Sequence, residues 1–311
     1  MPVREPTREY RTWTVDSRRW QAYRPRPGDV VIATYPKCGT TWMQRIVGLL
    51  LSRDPTPRPV MDIAPWIDRR FGEPLEATMA LIEAQTQRRF LKSHLPADGL
   101  PIHAGARYIH VARDGRDASL SYHHHLAGLA PEVLARFDAE GLGDPTIGRP
   151  FPPLLADPAD HFHRWLTQGA VAGESDGLPF LSFFAFERSW WAVRHLPNVL
   201  LVHYARLKAD LAGEMRRIAA FLEVEVPAAL WPALVEAAGF EAMRRDGDVL
   251  MGRMARVFRG GAAAFFNEGR NNRWQGHYRA EDVALYAAKA ATAGDPSFGR
   301  WLGDGSLEAG T

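Results

Sequence analysis

Asp29 to Trp42 reads DVVIATYPKCGTTW, and the order of residue types within it decides the fold. Asp29 to Thr34 is a short β-branched apolar block preceded by the turn-forming Pro27-Gly28 and followed closely by Pro36, the pattern of a buried parallel strand. From Thr40 the apolar positions Trp42, Met43, Ile46, Val47, Leu50 and Leu51 recur at helical spacing, so Tyr35 to Gly39 is a strand-to-helix turn. Such a turn presents unpaired backbone N–H groups above the sheet, where the helix dipole favours an anion. Lys37 adds a point charge, Gly39 permits close backbone approach, and Thr40 and Thr41 add hydroxyls, which together are the parts of a phosphate cradle. It is not a Walker A loop, because Lys37 precedes Gly39 by two residues and no upstream glycine has the required spacing.

Working outward, three more strands are predicted at Phe90-Leu91 running into KSH, at Arg107 to Val111 and at Asn198 to His203. Helical patterns at Asp114 to Leu126, Ala159 to Ala172, Phe186 to His195 and Leu207 to Leu222 separate strands and predict crossovers. The expected fold is therefore α/β, a mostly parallel central sheet flanked by helices on both faces, in one domain spanning residues 1–311 with its core at about 28–290. Two stretches rich in Gly, Pro and polar residues, 128–153 and 246–274, read as long irregular loops that cap a site. No internal repeat is visible.

Composition narrows the function. The 311 residues are 46% hydrophobic and carry a formal net charge of only +2, so anion binding must come from locally placed cations and a nucleic-acid partner is not expected. The single cysteine, Cys38, has no internal disulfide partner, and the charged N-terminus (Arg4, Glu5, Arg8, Glu9) does not read as a signal peptide. No run approaches the roughly 18 apolar residues of a spanning helix. A cytoplasmic location follows as an expectation, and the excess of Arg over Lys hints at a GC-rich bacterial origin.

Further motifs stand at the predicted strand ends. In FLKSHLP, Phe90 to Pro96, Lys92 and His94 are two apart and share one face of an extended chain. An imidazole can take a proton near neutral pH, and a fixed cation can stabilise charge developing on a leaving oxygen. VARDGRDASLSYHHH, Val111 to His125, brings Arg113 off a strand and Ser121 two turns into the next helix. Asp114, Arg116 and Asp117 read as a solvated helix start. His123, His124 and His125 are consecutive, point in different directions on a helix and do not make a metal site.

These motifs together resemble the cytosolic sulfotransferases, a P-loop-like family that uses 3′-phosphoadenosine-5′-phosphosulfate (PAPS). YPKCGTTW is similar to the family's 5′-phosphosulfate loop, FLKSHLP to its KTHLP segment, and ARDGRDASLSYHHH to its ARNPKDxxxSYYHF signature. The resemblance implies that Lys37, Gly39, Thr40 and Thr41 hold the 5′-phosphosulfate, that Trp42 stacks on adenine, and that Arg113 and Ser121 hold the 3′-phosphate. It assigns His94 as general base, with Lys37 and Lys92 near the transferring group, in a direct in-line transfer without metal to a hydroxyl or amine of a small-molecule acceptor. Tyr204 and Phe240 match residues near adenine, while Trp190 and Trp191 read as core aromatics.

In FFNEGRNNRWQGHY, Phe265 to Tyr278, Gly269 and Trp274 match the family's last motif, but Asn267 and Glu268 replace the Arg and Lys that grip the 3′-phosphate. Of Arg259, Arg270 and Arg273, the expected replacements are Arg270 or Arg273, with Gly269 contributing its amide. The family's dimer motif is not visible, so no oligomeric state is implied. Trp66, Phe71 and Phe151 are candidate linings of an apolar acceptor pocket. The rival readings are a nucleotide kinase, which shares the α/β core, and a noncatalytic nucleotide-binding protein, which the Asn267-Glu268 departure favours.

Overall fold

The computed structural model describes residues 2–266 and 269–307. Four parallel strands, β1 (Val30–Thr34), β2 (Phe90–Ser93), β3 (Arg107–Ala112) and β4 (Val199–His203), lie in the order β2-β1-β3-β4. β1 is central and fully buried, which is why it reads as a continuous apolar run instead of an alternating one. The period of two still sorts its residues: Val30 and Ile32 enter one core, Val31 and Ala33 the other. A separate two-stranded antiparallel ribbon joins Pro2–Arg4 to Ile102–His103.

Val30, Ile32, Ile109 and Val111 pack against the helices α1 (Thr40–Ser52) and Leu211–Phe221. On the opposite face, Val31, Tyr35, Tyr108 and Ala112 pack with α4 (Pro158–Thr167) and α5 (Phe183–Ala192), together with α2 (Gly115–Gly128) and α3 (Pro131–Leu142), which lead away from β3. Each fully buried large aliphatic side chain contributes about 1.5–3 kcal/mol to holding these layers together. Inside the second layer His110 donates from Nδ1 to the Ala33 carbonyl at 3.0 Å, pairs at Nε2 with Glu187 at 2.9 Å, and stacks on Trp190. Trp190 and Trp191 are both buried.

Helix boundaries shift from the sequence reading where caps decide them. Asp114 is the N-cap of α2 and accepts from the Arg116 amide, and Ser182 caps α5, which begins three residues before the expected start. The predicted helix over 207–222 is two helices, Tyr204–Ala209 and Leu211–Phe221, divided at Asp210, which caps the second.

The two stretches read as irregular are a correction. Residues 128–153 contain α3, which starts with Pro131 at its first turn and buries Val133, Phe137 and Gly141. Gly141 is there because a Cβ would lie 2.4 Å from the Trp13 ring and 2.2 Å from the Arg149 carbonyl oxygen. Residues 246–274 form short turns of helix at Gly247–Met251, Gly252–Val257 and Gly261–Phe265. This cover is tied to the end of α2 by Ala130 N–H donating to the Val257 carbonyl and Arg259 N–H donating to the Gly128 carbonyl, at 2.9 and 3.0 Å. Asn267 and Glu268, the departure noted in the last motif, lie outside the described residues.

Among the described residues no helix is long and apolar enough to cross a membrane.

Candidate active site

The C-terminal ends of β1, β2 and β3 open into one pocket, where open parallel sheets place their ligands. Lys37, Gly39, Thr40, Thr41 and Trp42 line it from β1 and α1, Lys92 and His94 from β2, and Arg113 and Ser121 from β3 and α2. Tyr204, Phe240, Gly269 and Arg273 line it from the other side.

The turn after β1 is held in a left-handed conformation, with φ of 69° at Lys37 and 105° at Gly39. Gly39 is the N-cap of α1 and brings no side chain to the first-turn N–H groups, so those donors face the pocket. Thr40 Oγ1 is 2.5 Å from Thr34 Oγ1, a bond between the helix start and the strand end. Cys38 is fully buried, where burial pushes its thiol well up, so it stands in the loop as a small apolar packing group.

His94 sits 2.7 Å by Nδ1 from the Thr34 carbonyl oxygen. A carbonyl only accepts, so Nδ1 carries the proton and Nε2 presents a lone pair. Burial first, then the nearby Lys92 ammonium, push the imidazole pKa well below 6.5, keeping the ring neutral and able to accept a proton. The backbone N–H of His94 donates to Asp68 Oδ2 at 2.9 Å, and Trp66 Nε1 donates to the same oxygen at 2.7 Å. Trp20 Nε1 donates to Asp68 Oδ1 at 3.2 Å. Residues 65–67 run along the edge of β2, with Lys92 N–H donating to the Pro65 carbonyl at 2.9 Å and Ile67 N–H to the Lys92 carbonyl at 3.2 Å. Asp68 thus fixes the strand end that carries the imidazole. Nothing in its own neighbourhood, WIDRR, signals this.

Lys92 Nζ lies 4.3 Å from the centre of the Trp66 ring, and Lys37 Nζ 4.3 Å from that of Phe265. Burial holds both ammonium groups down to a pKa of about 7, with Arg113 adding to the effect at Lys37. Arg113 is the junction of the site. Its guanidinium donates to the Lys37 carbonyl and to Ser121 Oγ, both at 3.2 Å, and to the Arg270 carbonyl at 3.1 Å, and stacks 4.2 Å from the centre of the Tyr204 ring. Its Nε is buried without a protein partner. Trp42 donates from Nε1 to the Ala238 carbonyl at 2.8 Å and meets Tyr204 edge to face at 5.3 Å. With Phe240 these rings form the walls of an aromatic slot. Gly269, at φ 60°, lies against Phe240, where a Cβ would come within 2.4 Å of the ring.

Of the arginines expected near the last motif, Arg273 is buried and faces the pocket, its Nη2 3.4 Å from His124 Nδ1. Arg270 meets the site through its carbonyl, while its side chain is on the exposed surface. The guanidinium of Arg259 donates to the Ala127 carbonyl outside the pocket. Asp117 corrects the solvated reading of the helix start: it is 1% exposed and accepts from the Asn272 and Trp274 amides, at 2.8 and 3.2 Å. It docks the last motif onto α2. Asp114 and Arg116 pair with each other at 2.6 Å.

Most of the remaining lining of the pocket is apolar, with Thr14, His124, His125 and Lys208 as the polar exceptions. Trp66 and Phe71 line it, with Phe137 of α3 and with Met251, Met254 and Phe258 of the cover. Phe151 does not line it; it packs behind, against Phe137 and Trp13. His124 and His125 do line it, and sequence reasoning passed over them. The available signal was the spacing of His125 four residues after Ser121, which puts both on one face of α2. Among the described residues no group of acidic, Cys and His side chains has the geometry of a metal centre.

A family described as "Sulfotransferase domain" matches residues 27–284. The glycolipid sulfotransferase of Mycobacterium bovis is 31% identical over 310 residues, covering 95% of this chain and 94% of that protein. Human sulfotransferase 1E1 is 27% identical over 233 residues, covering 73% of this chain and 69% of that protein. Two solved structures share the fold. A retinol dehydratase in complex with retinol and PAP superposes with a TM-score of 0.66 at 22% identity, covering 85% of this chain and 80% of that one. Mouse sulfotransferase SULT7A1 complexed with PAP gives 0.67 at 16% identity, covering 96% and 98%.

Proposed function

The chain belongs to the sulfotransferase domain family, a family of PAPS-dependent enzymes, and on that premise we propose that it moves the sulfuryl group to a hydroxyl of an amphiphilic small-molecule acceptor, with His94 as general base. The observation that carries the assignment is the meeting of His94, with Nδ1 tied to Thr34, and two lysines, the half-buried Lys37 and the buried Lys92, in one pocket. The residues fit the donor. An uncapped helix start beside Lys37 suits a phosphosulfate, and the Arg113 guanidinium, with its unpartnered Nε, suits a second phosphate together with Ser121 and Arg273. The slot between Trp42, Tyr204 and Phe240 suits an adenine ring, with Gly269 against Phe240 bringing in the last motif.

The bound donor supplies an activated sulfuryl group. His94 takes the acceptor proton at Nε2, and Lys37 and Lys92 hold the charge that develops on the departing phosphate oxygen. The apolar wall of Phe71, Phe137, Met251 and Met254 supports an acceptor with a lipophilic body, and the name of the mycobacterial relative, a glycolipid sulfotransferase, supports one whose hydroxyls belong to a polar head. One domain, with 128–153 and 246–274 as its cover, and a cytoplasmic location belong to the same reading, the latter resting on the unpaired Cys38.

Transfer of labelled sulfuryl group from PAPS to a panel of alkyl glycosides, alcohols and phenols tests it, with His94→Ala alongside. The variant is expected to lose at least about 100-fold in turnover, in the range of general-base catalysis, and to keep its affinity for PAP. Near-normal turnover of the variant removes His94 from the role.

A further inference from the structure

His125 stands where the signature ARNPKDxxxSYYHF ends in Phe, and it brings a polar group into an otherwise apolar stretch of the pocket. It is half-buried on the pocket-facing side of α2, edge-on to Phe258 at 5.1 Å and to Phe265 at 6.4 Å. Its neighbours along the wall include Leu126, Leu129 and Val257. Its Nδ1 lies 3.5 Å from Lys37 Nζ. A charged Lys37 donates and never accepts, so with the lysine protonated Nδ1 is the acceptor of that contact and the neutral ring carries its proton on Nε2. Neutrality is secured by burial, then by the positive charges of Lys37 and Lys92, which lower the pKa well below 6.5.

Nε2–H donates no hydrogen bond within the protein among the described residues. The neighbouring Tyr122 ring, inclined by 26° at 6.2 Å, also lines the pocket, and its hydroxyl has no such bond either. Closing an apolar acceptor over a ring N–H leaves a donor without a partner, which costs about 1–3 kcal/mol. A phenylalanine at that position has no such requirement.

We propose that His125 is an acceptor-recognition residue whose Nε2–H donates to a second oxygen of the acceptor, close to the hydroxyl that His94 deprotonates. The preferred acceptor is therefore a polyol, glycoside or other head carrying oxygens on neighbouring carbons, and an aliphatic alcohol with a single oxygen is a poor one. This rests on the sulfotransferase reading of the same pocket. Lys37 makes the recognition depend on the donor: its ammonium fixes the His125 tautomer, so a charged Lys37 beside the phosphosulfate presents the Nε2 proton to the acceptor.

The test compares octyl β-D-glucopyranoside with 1-octanol, which share a tail and differ in the neighbouring oxygens. The ratio of their kcat/KM values is measured with PAPS for the natural chain, for His125→Phe and for His125→Asn, which keeps an N–H donor. The natural chain is expected to favour the glucoside by about tenfold or more, in keeping with one discriminating hydrogen bond. His125→Phe is expected to lower that ratio about tenfold, chiefly by loss on the glucoside, and His125→Asn to restore part of it. Misfolding alone depresses both substrates together and leaves the ratio where it was. A ratio unchanged in His125→Phe overturns the proposal, as does a natural chain that prefers 1-octanol or transfers to neither probe. If the natural chain binds no PAP, the reading of the pocket fails first; if it binds PAP and sulfates other hydroxyls while the ratio stays unmoved, only the role of His125 fails.

Discussion

At the residue scale the site is a set of groups whose charge states depend on what lies between them. Lys37 and Lys92 are held near a pKa of about 7 because each ammonium is buried. A phosphate anion beside them favours the charged forms and raises both values. At pH 8 the unliganded lysines are expected to be largely neutral and the liganded ones charged, so PAP binding is expected to take up protons. Affinity for PAP is expected to fall as pH rises above about 7 and to level off below it, where both lysines are already protonated. Calorimetry at pH 8 in buffers of different ionisation enthalpy measures the uptake directly; binding without proton uptake contradicts this account of the lysines. His94 behaves differently. Its ring is neutral through this range, and its Nδ1–H is committed to Thr34, so Nε2 is the nitrogen able to accept a proton.

Between elements, the weak point is the attachment of the last motif to α2. Asp117 holds the Asn272 and Trp274 amides, and Arg113 holds the Arg270 carbonyl, so residues 270–274 are carried into the site by hydrogen bonds from one strand end and one helix start. Asp117→Ala removes both acceptors, and each bond to a charged group contributes about 1.5–3 kcal/mol. Because that segment carries Arg273 into the pocket, PAP affinity is expected to fall about tenfold, one decade per 1.4 kcal/mol. Titration of PAP against both proteins, with a circular dichroism melt to show that the variant is folded, checks it. Affinity equal to that of the natural chain would mean that Arg273 is positioned by other contacts.

The element scale is also where sequence reading was uneven. The buried strands and α1 were legible because Val30 to Ala33 is an unbroken apolar run between turn residues and Met43 to Leu50 repeats at helical spacing. α3 was not, since Pro131 and Gly141 look like breakers until Pro131 is seen in the first turn and Gly141 against Trp13.

For the whole molecule, stability against acid depends on imidazoles sealed between layers. His161 of α4 is fully buried with neither ring nitrogen bonded to the protein, 5.2 Å from the His123 ring, and burial lowers its pKa to about 3. In the unfolded chain the same imidazole takes a proton near pH 6.5. Between those values the unfolded state binds more protons, so stability falls as pH drops from about 6.5 towards 3. His161→Phe removes that contribution. Its melting temperature is expected to decline less than that of the natural chain between pH 6.5 and 4.5; parallel declines would mean that other groups govern acid unfolding.

The α/β architecture, the loop after β1 and the pairing of Lys92 with His94 follow from the sequence itself, because each depends on residues adjacent along the chain and on periodicities that one strand or one helix imposes. Asp68 behind His94, Asp117 beneath the last motif and the contact of His125 with Lys37 were decided only by tertiary structure. These partners lie 26, 155 and 88 residues apart in the chain, and no local pattern sets the direction of a side chain across such a span. The tautomer of His94 belongs with them: it is fixed by the Thr34 carbonyl, which reaches the ring only because β1 and β2 are neighbours in the sheet.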